Sequence, residues 1–276
     1  MAPATANRSC VEAWQALVRF GLSVLLISVV LSLIALPWSG LSWWKTIRRC
    51  VSIASAISLW LCIHKLERRS IRAYGFLEPE AGKSQLCFGL LLGASALCAL
   101  ALLGLLSGSC QIAVTADRVK LWRTVLGFIP AAALVGFLEE LVFRGFILQH
   151  LLACSRLVAV ITSSALYAVV HLKTTTFNLA TFLELGGLFL LGVVLSLSYL
   201  STGQLYLSIG LHAVLAYGAR VNKLILAFNA SSLSWLVGTS RLVNGLASWA
   251  VLVILGWVVV WWTRSSRTGG VRHGDA

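Results

Sequence analysis

Apolar and polar positions in this chain alternate over tens of residues. Long apolar runs are separated by short polar linkers. Eight runs read as membrane-spanning helices, at 17–37, 50–64, 84–106, 122–151, 155–172, 179–200, 204–218 and 243–262, because about 20 mostly apolar residues cross a bilayer. The second and seventh are short. The fourth is too long for one simple crossing, so it tilts or leaves the bilayer at its end. Tryptophans gather at run ends (Trp38, Trp43, Trp44, Trp122, Trp261, Trp262), as interfacial anchoring expects. The run from Phe20 to Trp38 exceeds a signal-peptide core and ends without a small-x-small cleavage site, so it reads as a retained span. The pattern predicts an all-α polytopic membrane protein, with about eight transmembrane helices enclosing a polar cavity. Residues 1–276 form a single membrane domain without internal repeat or appended soluble part.

Composition narrows the class. Of 276 residues, 59% are apolar and 11% charged, against about 25% charged in soluble domains. A soluble enzyme, a disordered chain and a disulfide-stapled secreted module are excluded. The net charge of +13 does not point to nucleic acid. Its basic residues lie mostly between apolar runs, where lipid headgroups sit, and form no aromatic-interleaved stripe. They divide almost evenly between the two faces, and the dense second linker leans towards cytoplasmic termini. The seven cysteines form no CxxC pair and read as small hydrophobes, with Cys10 and Cys50 as candidates for acylation.

Chemistry must come from polar residues inside the runs, where each charge costs a few kcal/mol. These are Glu139, Glu140, Arg144, His171, Glu184 and His212. On a helix Glu140 and Arg144 share a face and can pair. Glu139 is rotated about 100° away from Glu140 and points elsewhere. Tyr167 precedes His171 by one turn, and His212 lies on a separate run. A carboxylate and two imidazoles that converge can activate water and stabilise an oxyanion. The same three groups, Glu139, His171 and His212, form an alternative zinc site with one position left for water. No His-Glu-x-x-His motif supports zinc, and the metal-free reading ranks first. Each polar group also has a structural reading: a Glu–Arg lock, a histidine satisfied between helices, and Glu184 as a packing or cavity-lining residue.

These residues resemble the CAAX protease and bacteriocin-processing (CPBP, or Abi) family of intramembrane proteases. Its first motif, Glu-Glu-x-x-x-Arg, is matched by Glu139, Glu140 and Arg144. Its second, an aromatic (usually Phe) followed by x-x-x-His, is matched by Tyr167 and His171. Its third, His-x-x-x-Asn, is matched by His212 but ends in Ala216. The resemblance covers about 115–225. It implies an eight-helix fold with a water-accessible site, in which Glu139 is the general base assisted by His171. It further implies that His212 is an oxyanion donor and that Glu140 and Arg144 organise the site. Ala216 donates nothing, and loss of one oxyanion donor costs about 100- to 1,000-fold in other enzymes. Either another donor substitutes, such as Tyr217 or a backbone N–H, or activity is reduced or absent.

The leading expectation is an intramembrane endopeptidase without cofactor. It acts on a membrane-associated substrate, either a peptide or a lipidated protein of the prenylated CAAX type or a leader peptide. Its other partners are membrane lipids, and its expected location is a bacterial plasma membrane. The rival readings are a non-catalytic membrane scaffold using the same cavity, favoured by Ala216, and a proton-relaying transporter, which lacks a broken inverted repeat.

Overall fold

Ser9 starts the first helix with a capping box. Its Oγ accepts from the Glu12 N–H at 3.3 Å, while the Ser9 N–H donates to Glu12 Oε2 at 2.9 Å, satisfying two helix-start donors reciprocally. Helix α1, Cys10–Ser39, stops at Gly40, whose φ of +59° is left-handed. In the computed structural model, the described residues are 9–76, 79–114, 116–172, 178–229, 234–239 and 241–269. After α1 come α2 (Trp43–Leu61), prolonged by a wide π turn at Cys62–Leu66, and α3 (Pro79–Leu106). Then follow strand β1 (Cys110–Ile112), α4 (Arg118–Glu140), α5 (Arg156–His171) and α6 (Leu179–Thr202). The chain ends with α7 (Tyr206–Ile225), β2 (Leu226–Phe228) and α8 (Leu246–Gly269).

Among the described residues, six helical stretches are long and apolar enough to cross a membrane: Cys10–Ser39, Trp43–Leu66, Gly82–Leu106, Arg118–Leu151, Leu179–Thr202 and Leu246–Ser265. The histidine-bearing helices α5 and α7 are not among them. Helix α5 has only 16 residues, and α7 carries His212, Arg220 and Lys223. Both pack among other helices, α5 on α6 and α7 between α3 and α4. Helix α7, packed between two others, need not be apolar all round, whereas α5 is short and exposes Leu157, Ile161, Val169 and Val170. Lipid instead meets helices such as α1, which exposes Leu22, Leu25, Leu26, Leu33 and Ile34, a surface too large and apolar for water. The protein is therefore a multi-pass, all-α membrane protein.

Glycines set the closest helix contacts. A Cβ at Gly89 on α3 would lie 2.3 Å from the Leu207 carbonyl oxygen, and one at Gly210 on α7 would lie 2.5 Å from that of Leu86. Gly136 does the same between α4 and α7, at 3.0 Å from the Ala213 nitrogen. Without hydrophobic drive between helices in lipid, such backbone approach supplies the packing. It also draws Glu139 and Glu140 towards His212.

Two features escape the apolar pattern. The linkers after α3 and α7 pair as a two-stranded antiparallel ladder, Cys110 opposite Phe228 and Ile112 opposite Leu226; three-residue strands are too short to show alternation. Cys10, read above as a small hydrophobe or acylation site, is disulfide-bonded to Cys154. Composition cannot reveal a bond across 144 residues of sequence. It ties the start of α1 to the turn before α5.

Gly210→Leu forces a side chain into the α3 backbone, and overpacking of this kind costs about 1–3 kcal/mol. We expect a lower thermal midpoint in detergent for this variant. Gly21→Leu, on α1 with nothing within 4 Å, should leave the midpoint unchanged.

Candidate active site

The helix that begins as α4 runs on to Leu151, but its geometry changes at the two glutamates. Residues Leu141–Leu148 form a π-helical stretch immediately after Glu140. Such widenings are rare, and often occur where side chains must be re-aimed. Here the stretch is buried and contains Arg144.

Glu140 and Arg144 are both fully buried. Arg144 Nη1 donates to Glu140 Oε1 at 2.8 Å, and Nη2 donates to the Gly192 carbonyl of α6 at 3.0 Å. The guanidinium also lies against the Tyr167 ring, 4.9 Å from its centroid, and the Phe143 ring, at 5.7 Å. A buried ion pair must recover its desolvation through such extra contacts. Glu140 Oε1 also accepts from His212 Nδ1 at 2.7 Å. One carboxylate oxygen thus joins α4, its own π turn and α7, while the guanidinium reaches α6.

Glu139 points the other way, into a cavity of about 350 Å³ that Tyr167, His171, His212 and Ala216 also line. Its side chain is 30% exposed, against 0% for Glu140. Glu139 Oε2 lies 3.0 Å from His171 Nε2 and 3.5 Å from His212 Nε2. Oε2 therefore faces the ring nitrogens of both histidines. His171 Nδ1 donates to the Tyr167 carbonyl at 2.8 Å. Both imidazoles therefore carry a proton on Nδ1, because both Nδ1 atoms face acceptors. Both turn Nε2 towards Glu139.

The cavity is amphipathic. Leu188, Leu191, Leu215 and Leu252 supply apolar wall, and Glu184, Lys223 and Arg241 supply charge. Glu184 is not isolated: it forms an ion pair with Arg241, from the segment before α8. Arg241 had no signal in the sequence, because its linker shows no periodicity. Tyr217 does not serve the site, since its hydroxyl donates to the Val125 carbonyl at 3.0 Å; a residue after Ala216 faces α4, not the cavity. His150 is fully buried and bonded to Glu67 at 2.7 Å, away from this cavity. Among the described residues no group of three His, Cys, Asp or Glu is placed to hold a metal ion.

Comparison with known families bears on this arrangement. Residues 121–218 match the Rce1-like family model, described as type II CAAX prenyl endopeptidase. The matched stretch contains Glu139, Glu140, Arg144, Tyr167, His171 and His212, and agrees with the resemblance read from the motifs. Among curated proteins and solved structures, none matches the chain.

Removing Arg144 leaves Glu140 buried beside an imidazole alone, and breaking a buried pair costs about 3–5 kcal/mol. We expect Arg144→Gln to yield much less monodisperse protein in detergent gel filtration than wild type. The double variant Glu140→Gln/Arg144→Gln, which removes both charges, should recover part of that loss.

Proposed function

We propose that the protein is an intramembrane endopeptidase that hydrolyses a peptide bond of a membrane-associated polypeptide with water activated by Glu139. One observation carries the reading. A carboxylate exposed at the cavity wall is flanked by two imidazole Nε2 atoms, while its neighbour in sequence is fully buried and locked to arginine. Adjacent glutamates thus take separate tasks, reaction for Glu139 and architecture for Glu140.

In the proposed reaction the substrate carbonyl enters the cavity beside Glu139. Glu139 takes a proton from water, and His171 holds the attacking oxygen through Nε2. The water oxygen bonds to the carbonyl carbon and the carbonyl oxygen becomes an oxyanion. His212, as imidazolium backed by Glu140, donates to that oxyanion. The carbon–nitrogen bond then breaks, and Glu139 returns its proton to the leaving amine. Glu140 and Arg144 hold His212 and the π turn in place. No cofactor is needed in this scheme.

The apolar wall suits a lipid-modified or apolar segment, so prenylated CAAX-type proteins and leader peptides are the substrate chemistries to try first. We place the protein in a bacterial plasma membrane. A disulfide persists in an oxidising compartment, which puts the Cys10–Cys154 end outside. Glu184 near the start of α6, Lys223 near the end of α7 and Arg241 before α8 lie at the opposite helix ends, so the charged end of the cavity faces the cytoplasm. This reverses the lean given by basic-residue counting. A second reading, a peptide-binding partner without activity, is favoured by Ala216, whose methyl lines the cavity.

The test is cleavage of a mixed pool of prenylated and plain peptides by purified protein in nanodiscs, read by mass spectrometry. Wild type should cleave, and Glu139→Gln should lose about 100- to 10,000-fold of the rate, as removal of a general base does. Cleavage should persist in chelator. Full activity in Glu139→Gln would sink the role. Stoichiometric zinc that His171→Ala loses would overturn the cofactor-free scheme.

A further inference from the structure

The oxyanion is the least well served part of this site. Ala216 lines the cavity one turn after His212 and offers only a methyl group. Tyr217 is committed to the Val125 carbonyl. Ser248, another polar lining residue, donates to the Gly245 carbonyl at 2.6 Å. The two imidazoles spend their Nδ1 protons on the Tyr167 carbonyl and on Glu140. In the proposed reaction His171 keeps its Nε2 lone pair for the attacking water, so His212 is the one imidazole that donates to the oxyanion.

Among the described residues one hydroxyl remains beside Glu139. Tyr167 is 2% exposed and lines the cavity. Its hydroxyl lies 3.4 Å from His212 Nε2, a long contact for an O–H donor. The ring is fixed on three sides, edge-on to Phe143 with centroids 5.2 Å apart, against His171 at 4.2 Å and against the Arg144 guanidinium. The guanidinium over the ring adds a cation–π contact that helps to hold it.

We infer that the Tyr167 hydroxyl donates a hydrogen bond to the oxyanion of the tetrahedral intermediate, in the place that Ala216 leaves without a donor. The assignment rests on the endopeptidase reading above. As charge develops on the carbonyl oxygen, the hydroxyl exchanges its long contact with His212 for a charge-assisted bond. Its proton is not transferred. The water proton still goes to Glu139 and then to the amine. Because the ring is already held, the donor needs no reorganisation when the charge appears. Where the resembling family usually has Phe and Asn, this chain has Tyr167 and Ala216, so a hydroxyl on α5 stands in for an amide on α7. Tyr167 is thus a catalytic residue, in addition to its packing.

The test uses Tyr167→Phe, which keeps the ring and its contacts, together with Tyr167→Phe/Ala216→Asn. Two probes are used: a prenylated CAAX-type peptide, and the same peptide with a phosphinate in place of the scissile amide. We expect Tyr167→Phe to lower kcat about 100- to 1,000-fold, the usual effect of losing one oxyanion donor, with KM little changed. Phosphinate binding should weaken while binding of the intact amide holds. Ala216→Asn should restore part of both losses. Wild-type kcat and unchanged phosphinate affinity in Tyr167→Phe would overturn the assignment. So would a wild type that binds phosphinate no better than the amide. If wild type cleaves nothing yet binds phosphinate in a Tyr167-dependent way, the endopeptidase reading falls and the donor stands.

Discussion

The site depends on a single buried carboxylate oxygen. Glu140 Oε1 accepts from Arg144 at 2.8 Å and from His212 at 2.7 Å, and Arg144 carries the connection on to the Gly192 carbonyl. Charges this far from water are tolerated only when each is paired and bonded. That requirement fixes where α4, α6 and α7 sit. Helix α7 can approach closely enough because glycines at 89, 136 and 210 remove the side chains that would hold it off. Packing and electrostatics are therefore one constraint seen from two sides.

Adjacent glutamates with different tasks follow from helix geometry. Successive residues on a helix diverge by about 100°. If Glu140 faces the buried arginine, Glu139 must face elsewhere, and here it faces the cavity. The π turn after Glu140 aims Arg144 and the residues around it. The histidines are held from behind, one by a carbonyl and one by a carboxylate, so that both direct Nε2 to one point. That point lies next to the Tyr167 hydroxyl, on the wall of the amphipathic cavity, where hydrogen bonds are stronger than in bulk water.

Much of this was legible in the sequence, and what was not has a common cause. Runs of apolar residues gave the helices, and spacing gave the Glu140–Arg144 pair and the separate direction of Glu139. An aromatic one turn before His171 marked Tyr167. Periodicity, however, says which residues share a helix face and nothing about which helices meet. The bond from His212 to Glu140, the ion pair of Glu184 with Arg241 and the Cys10–Cys154 disulfide all join distant segments. Tyr217 misled for the same reason: it adjoins Ala216 in sequence yet faces α4. The π turn left no trace because its residues, Leu-Val-Phe-Arg-Gly-Phe-Ile-Leu, suit an ordinary helix equally well.

The central claim is that Glu139 delivers water directly to the substrate carbonyl and forms no bond to it. A single turnover in ¹⁸O-labelled water tests it. The account predicts one ¹⁸O atom in the new carboxyl group of the product and none in Glu139, both read by mass spectrometry. Label in Glu139, with an unlabelled product from the first turnover, would reveal a covalent acyl-glutamate and contradict the account.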